Sequence, residues 1–221
     1  EFIDPIFRSL GFSYITKTNL SGVSRDDLRY PDYTLFCSKT HADESRAAEQ
    51  EYKFKSAVCL AEGKKFGFTL NEIDSEGRAK AEVGLPAIQL TEYLKMAEVD
   101  WGILTNGKQW QIYYRRGQYA AARYFEINLV DLLSHPQPRK EFAVFLYLFS
   151  SEAFKRDKNG KCRLDELYDE GKKYAQEVGE PFYEGCRVAL RAVFEFYQKS
   201  TKAQKDIHRA RLAHQDRKSV V

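Results

Sequence analysis

Apolar residues recur along the chain at two spacings, and the spacing separates predicted helices from predicted strands. Residues 2–10 carry apolar side chains three and four positions apart, which predicts a helix with Gly11 at its expected end. A second helix is predicted from Pro86 to about Val99, since proline suits a first helical turn. Short apolar runs bounded by polar residues, glycine or proline predict strands at 33–37, 56–66, 100–105, 109–115 and 122–127.

The order of these elements indicates the fold class. A helix, two strands, a helix and three further strands predict an α/β protein with a mixed central sheet and a crossover helix. Asn106-Gly107 is the strongest short-range hairpin signal in the chain, and it predicts a type I′ turn between two of the strands. From Asn128 onwards the patterns are helical. We therefore place a boundary near residue 130, between an α/β domain at 1–130 and an all-helical segment at 131–221.

The composition is typical of a soluble domain and narrows the function only slightly. Of the 221 residues, 43% are hydrophobic, and the net charge of +3 permits a polyanionic partner without requiring one. The four cysteines form no C-x-x-C pair, and we interpret Cys37 and Cys59, which lie in apolar runs, as small buried thiols. No apolar run approaches about 18 residues, so we expect a cytoplasmic protein without membrane contact. The chain begins at Glu1 rather than methionine, which indicates a fragment of a longer protein.

Charged residues close one of the predicted strands and suggest chemistry there. Glu62 and Lys64 follow the apolar run 57–61, and alternation along a strand places both side chains on the same face. Asp32 stands at the start of another predicted strand, from which it could join them. Two carboxylates provide the oxygen ligands that Mg²⁺ prefers, and a neighbouring lysine can orient a water molecule or balance negative charge. The three residues therefore predict a metal-assisted hydrolytic site.

This pattern resembles the PD-(D/E)xK nuclease superfamily. The matching residues are Pro31-Asp32 followed by Glu62-Gly63-Lys64, and the position between Glu and Lys is often alanine in that family. Gln89 and Tyr93 form a Q-x-x-x-Y pair, which shares one face of the predicted helix. This pair is similar to the nuclease domains of type I restriction subunits and of single-chain type IIG restriction-modification enzymes. Two further segments share the resemblance, 2–12 and the Trp-Gly-Ile-Leu-Thr-Asn-Gly-Lys-Gln-Trp stretch at 101–110.

The resemblance implies a fold, an activity and a set of roles. The fold would be restriction-endonuclease-like, and the activity Mg²⁺-dependent hydrolysis of double-stranded DNA, with Mn²⁺ as a substitute. Asp32, Glu62 and the main-chain carbonyl of Gly63 would hold the metal, and Lys64 would position or activate the attacking water. The resemblance also assigns supporting roles to Gln89 and Tyr93 and an additional acid to either Glu1 or Asp4.

The resemblance also bears on the rest of the protein. It covers about residues 1–128, and the helical remainder is similar in type to the connector between nuclease and methyltransferase in type IIG enzymes. We therefore expect methyltransferase and target-recognition domains in the same chain or in a partner chain. Two alternatives stay open: a nuclease-fold module that binds DNA or another partner without catalysis, and a nuclease of repair or recombination.

Several basic residues lie in or near the predicted strands and allow two interpretations. They could contact DNA phosphates, or they could form a solvated basic face. These residues are Lys53, Lys55, Arg115, Arg116 and Arg123. A further basic stretch at 202–218 could follow DNA or link to a missing domain, and we favour the linker.

Overall fold

The computed structural model of the protein describes most of the chain. The described residues are 2–20, 30–70, 86–117, 123–181, 184, 187, 188 and 191. The predicted candidate Glu1 and the basic stretch at 202–218 therefore lie outside the described residues. Across the described residues, the helices are too short or too polar to cross a membrane.

A six-stranded mixed sheet forms the centre of the protein, which confirms the predicted α/β class. Its strands lie side by side in chain order, and every neighbouring pair is antiparallel except β3 and β4. The sequence predicts five of these strands and misses β1. The strands are β1 (Ser13–Thr16), β2 (Tyr33–Phe36), β3 (Cys59–Gly63), β4 (Trp101–Thr105), β5 (Gln109–Tyr114) and β6 (Tyr124–Asn128).

Six helices between residues 3 and 154 accompany the sheet within the described residues. The parallel pair β3–β4 requires a crossover connection, and the second predicted helix supplies it as α3. Two helices begin at side-chain caps: Ser38 accepts a hydrogen bond from the His41 amide, and Asn128 accepts from the amides of the next helix. The helices are α1 (Ile3–Ser9), α2 (Lys39–Ala47), α3 (Pro86–Ala97), α4 (Leu129–Ser134), α5 (Pro138–Phe149) and α6 (Ser151–Phe154), and a short 3-10 helix spans Gln50–Tyr52.

The sheet has an apolar cluster on each face. On one face, the fully buried ring of Trp110 meets the rings of Phe7, Phe145 and Phe149 edge-on, which attaches α1 and α5 to the sheet. On the other face, Leu60, Leu104 and Tyr113 from the strands pack with Leu90 and Leu94 of α3. The side chains of Glu62 and Leu104 share this second face, because the two residues are paired in the β3–β4 register.

Gly102 permits the close approach of α3 to the sheet. A Cβ atom built on Gly102 would lie 2.9 Å from Cδ1 of Leu94 and 3.1 Å from Cγ of Leu90. Both leucines are fully buried, so they have little room to move away. A glycine within the strand therefore sets the distance between β4 and the helix that carries Gln89 and Tyr93.

A buried carboxylate at the start of β4 gathers three arginines. Asp100 accepts hydrogen bonds from Arg115 at 2.7 Å, from Arg116 at 2.9 Å and from Arg156 at 3.1 Å. Burial alone would raise the pKa of Asp100, but the hydrogen bonds from Arg116, Arg115 and Arg156 outweigh it and lower that pKa. Neither sequence interpretation of Arg115 and Arg116 included this pairing with Asp100.

The hairpin at Asn106-Gly107 forms as predicted between β4 and β5. The expected type I′ geometry is wrong, because it requires positive φ at both residues and only Gly107, with φ of 84°, has it. The Asn106 side chain instead organises the turn by accepting hydrogen bonds from the amides of Lys108 and Gln109, at 2.9 Å and 2.7 Å.

The chain divides into two compact units, 1–166 and 167–221. The first unit contains the whole sheet and α1–α6, so helices beyond residue 130 belong to it. In the second unit, residues 167–181 are helical. The division at 130 between a nuclease domain and a connector stays a prediction about function.

Candidate functional site

The pairing of β2 with β3 places two carboxylates opposite each other. Tyr33 pairs with Ala61, and continuing this antiparallel register by one residue sets Asp32 across from Glu62. Directly opposite residues of an antiparallel pair share a face, so both side chains lie on the α3 side of the sheet. The Asp32 amide donates to Oε2 of Glu62 at 3.4 Å, and the Gly63 amide donates to Oδ2 of Asp32 at 2.9 Å.

Lys64 completes the predicted group of three. Its Nζ atom lies 2.7 Å from Oε1 of Glu62, which agrees with the prediction that both side chains share a face. The Glu62 side chain is only 6% exposed, whereas that of Lys64 is 21% exposed. The ion pair is therefore reached from solvent through the lysine.

Helix α3 adds the predicted Gln/Tyr pair to the same cluster. Gln89 donates from Nε2 to the hydroxyl of Tyr93 at 2.6 Å, as expected for residues four apart on one helix. The Oε1 atom of Gln89 accepts from Nζ of Lys64 at 3.5 Å. Hydrogen bonds therefore connect Asp32, Glu62, Lys64, Gln89 and Tyr93 in one continuous chain.

The buried position of Glu62 affects its ionisation. Burial raises the pKa of Glu62, the hydrogen bond from Lys64 opposes this effect, and the negative charge of Asp32 adds to it. The net effect is a raised pKa, so the ionised form of Glu62 is less favourable in the folded protein than in the unfolded chain. A cation that binds both carboxylates would offset this effect.

The neighbouring phenols are kept neutral. Burial is the main cause that raises the pKa of Tyr93, and the charge of Glu62 contributes to the rise. Burial also raises the pKa of Tyr33 above its ordinary range, together with a hydrogen bond to Asp4 and the charge of Asp32. Both hydroxyl groups therefore keep their protons at neutral pH and can act as hydrogen-bond donors.

The predicted additional acid is found in a different environment. Asp4 lies in the first turn of α1, and its Oδ1 atom accepts the hydroxyl of Tyr33 at 2.5 Å. Within the part of the chain that the structure describes, no three His, Cys, Asp or Glu side chains are grouped closely enough to hold a metal. Asp4 is thus not part of such a group, and its role as a metal ligand stays a prediction, as does that of Glu1.

The pair of carboxylates fits a particular kind of metal site. Mg²⁺ usually keeps several waters and is bound by one or two carboxylates together with substrate phosphate oxygens. Asp32 and Glu62 supply two carboxylates on one face, and hydrogen bonds from main-chain amides orient one oxygen of each. Such a donor set suits a hard divalent cation that is shared with an anionic substrate.

Two features near the site were not recognised in the sequence. Tyr33 links Asp4 to the strand that follows Asp32, and its place next to Pro31-Asp32 could have suggested a supporting role. Phe2 and Phe66 are exposed beside Lys64. Phe66 lies on a turn after β3 has ended, whereas the sequence predicted it within the strand at 56–66.

Comparison with known proteins identifies no relative of this chain. No family model matches the chain, and searches of curated proteins and of solved structures likewise return no match. The resemblance to nuclease domains therefore stays a prediction from the motif residues of the sequence.

Proposed function

We propose that the protein is a Mg²⁺-dependent endonuclease that hydrolyses phosphodiester bonds of double-stranded DNA. The observation that carries the proposal is the juxtaposition of Asp32 with Glu62 at the end of β3, with Lys64 bonded to Glu62 at 2.7 Å. Two opposed carboxylates and an ammonium group on one sheet face match the requirements of metal-assisted phosphoryl chemistry.

Asp32, Glu62 and the main-chain carbonyl of Gly63 would hold the cation. When bound, Mg²⁺, or Mn²⁺ in its place, polarises a phosphoryl oxygen and lowers the pKa of a coordinated water. The hydrogen bond from the Gly63 amide fixes the Asp32 carboxylate before the cation arrives. A donor set that is already oriented loses less conformational entropy when it binds.

Lys64 acts on the substrate side of this arrangement. Its ammonium group is bonded to Glu62 and partly exposed, so it can orient the attacking water and offset charge on the phosphoryl oxygens. Gln89 contacts the same ammonium from the helix and limits its movement. The Tyr93 hydroxyl accepts from Gln89, and its own hydrogen remains to donate within the site or to the DNA backbone.

The activity would belong to a restriction-modification enzyme. The support is the Q-x-x-x-Y pair, which the structure joins to Lys64 by a hydrogen bond, and the 101–110 segment, whose Gly102 lets α3 approach the sheet. Methyltransferase and target-recognition domains in the same chain or a partner chain would then select the DNA sequence. Such an enzyme would act in the cytoplasm.

Plasmid cleavage tests the proposal. The protein is incubated with supercoiled plasmid and Mg²⁺, next to the variants Asp32→Asn and Lys64→Ala. The matched controls are Asp43→Asn and Lys95→Ala, which alter exposed residues on α2 and α3. We expect the wild-type protein and both controls to nick or cut the plasmid, and the two site variants to lose at least about 100-fold in rate.

Binding of Mn²⁺, followed by electron paramagnetic resonance, separates the metal site from the chemistry. Asp32→Asn should weaken Mn²⁺ binding, whereas Lys64→Ala should retain it. Cleavage by all variants at the wild-type rate would show that the site is elsewhere. DNA binding without cleavage or Mn²⁺ binding by the wild-type protein would favour a non-catalytic DNA-binding module.

A further inference from the structure

Two phenylalanines are exposed directly beside the proposed site. Phe2 is 67% exposed and Phe66 is 72% exposed, although both are large apolar side chains. Single exposed apolar residues are ordinary on protein surfaces, but two rings that line the same cavity suggest a binding function. Both rings lie in the first compact unit, which also contains Lys64.

The turn that carries Phe66 is anchored to the rest of the fold. The Phe68 amide donates to the carbonyl of Lys65 at 3.0 Å, and Gly67 between them has φ of 82°, which a side chain would disfavour. The Asn106 side chain donates to the carbonyl of Phe68 at 2.7 Å and ties the turn to the β4–β5 hairpin. The ring of Phe66 is therefore presented to solvent from a fixed backbone.

Both rings lie against the same hairpin residue. A Cβ atom built on Gly107 would lie 3.2 Å from Cε1 of Phe2 and 3.6 Å from Cδ2 of Phe66. The two phenyl groups thus converge at the turn from different parts of the chain. Each retains most of its surface for another molecule.

The cavity formed there combines aromatic and positively charged groups. It has a volume of about 440 Å³, within the range of small-molecule sites, and is lined by Phe2, Ile3, Lys64, Lys65, Phe66 and Asn106. These lining residues include two lysines and no carboxylic acid. Aromatic rings for stacking, with ammonium groups alongside, are complementary to a nucleotide with its flat base and anionic phosphate.

We propose that this cavity receives the base of the nucleotide next to the scissile phosphate and stacks it on Phe2 and Phe66. Lys64 lines both the cavity and the proposed active site, so a base bound here would place its phosphate at the carboxylates. The inference rests on the proposed function. Bases within duplex DNA are covered by their neighbours, so the duplex must open locally at the cleavage position.

Binding to a base-free backbone tests this assignment. Fluorescence anisotropy of the full chain, in EDTA to prevent cleavage, compares labelled oligothymidylate with an abasic oligonucleotide of the same length and charge. The wild-type protein should bind oligothymidylate at least about fivefold more tightly, as expected for stacking of one base. Phe66→Ala and Phe2→Ala should reduce this preference, and Phe66→Trp should retain it. The salt dependence of binding should stay constant, because the lysines are unchanged.

Phe125→Ala is the matched control, because it removes another exposed phenylalanine, on the outer strand β6. Thermal unfolding confirms that each variant is folded. The assignment is overturned by equal wild-type affinity for the two oligonucleotides, or by a Phe2→Ala/Phe66→Ala double variant that keeps the preference. Plasmid cleavage with Mg²⁺ is measured in parallel: continued cutting would leave the nuclease proposal intact, whereas absence of both cutting and Mn²⁺ binding would reject the nuclease itself.

Discussion

The main-chain amide of Gly63 donates a hydrogen bond to the Asp32 carboxylate at 2.9 Å. The backbone of β3 therefore orients the carboxylate of Asp32, the residue before β2, without the help of a side chain. The orientation of the Asp32 carboxylate depends on the backbone of β3, which is paired on both sides within the sheet.

Because the backbone makes this contact, Gly63→Ala should preserve the site. The new Cβ atom would lie 3.8 Å from Oδ2 of Asp32, an ordinary contact, but 2.8 Å from Cδ1 of Ile3. That atom ends a flexible, half-buried side chain that can rotate away. We expect a change of no more than about 1 kcal/mol in the free energy of unfolding. Denaturant titration measures the stability, and Mn²⁺ binding should equal that of the wild-type protein.

The variant Ile3→Val/Gly63→Ala provides the control, because valine lacks the Cδ1 atom that the alanine would meet. Its destabilisation should be smaller than the sum of the two single changes. Weak Mn²⁺ binding by folded Gly63→Ala would contradict the backbone explanation and indicate that space at Gly63 itself is required.

Glu62→Gln should separate stability from metal binding. Burial raises the pKa of Glu62 despite the hydrogen bond from Lys64, so the charged side chain opposes folding of the metal-free protein. A neutral amide of the same shape removes this cost. We expect the metal-free variant to be at least as stable as the wild-type protein in denaturant unfolding at neutral pH, but to bind Mn²⁺ much more weakly. A loss of stability in EDTA would show that the bond to Lys64 outweighs the cost of burial.

The fold was readable from the sequence where the hydrophobic pattern was strong. The predicted strands around Leu35, Ile103 and Ile112 are present in the structure. Consecutive residues of these strands are buried on opposite faces of the sheet, which gives each strand a continuous apolar run. Strand β1 was missed because it is four residues long, lies at the sheet edge and contains no fully buried residue. The predicted strand at 56–66 was too long, since Ala57 takes part in a turn with Phe54 before β3 begins.

The site was readable only in part. Local spacing predicted that Glu62 and Lys64 share a face and that Gln89 and Tyr93 share another. Long-range contacts carry no such local signal, so the pairing of Asp100 with Arg156, which is 56 residues away, could not be derived. The pairing of Arg115 with Asp100 could have been predicted from the hairpin. Continuing the pairs of β4 and β5 outward from Asn106-Gly107 places Arg115 opposite Asp100.

Asp100 should make the protein sensitive to acid. Its pKa in the folded state is lowered, because hydrogen bonds from the arginines outweigh the effect of burial. The stabilisation is therefore complete above the unfolded value, about pH 4, and is lost as the pH falls through the lower folded value. Asp100→Asn should cost about 2 kcal/mol at neutral pH, since Arg116 and Arg156 remain partly hydrated.

Denaturant unfolding across the acidic range measures this effect. Stability of the wild-type protein should fall more steeply below about pH 4 than that of Asp100→Asn, so that the two curves converge. Asp43→Asn is the control, because its ion pair with Arg46 is 52% exposed on both sides and should contribute little. Parallel curves for wild type and Asp100→Asn would contradict the assignment.

Gly102→Ala should disturb the docking of α3. The added methyl group would meet Leu94 and Leu90, which are both fully buried, so we expect a loss of about 1–3 kcal/mol. Cleavage should fall further than stability explains, because Gln89 and Tyr93 lie on the displaced helix. Gly171→Ala is the matched control: it is helical and has open space around it, and alanine should raise helix stability. Equal stability of Gly102→Ala and wild type would show that the helix can shift freely.

Tyr93→Phe tests whether the hydroxyl of this residue contributes to catalysis apart from the packing of its ring. The ring is 6% exposed and belongs to the apolar cluster between α3 and the sheet, so phenylalanine should preserve most of the stability. The variant loses the oxygen that holds Gln89 at 2.6 Å, and Gln89 in turn contacts Lys64. We expect the rate of plasmid cleavage under single-turnover conditions to fall about tenfold, with unchanged Mn²⁺ affinity. Tyr93→Leu, which keeps an apolar group but removes the ring, should reduce stability as well. Wild-type cleavage by a folded Tyr93→Phe would assign the residue to the core alone.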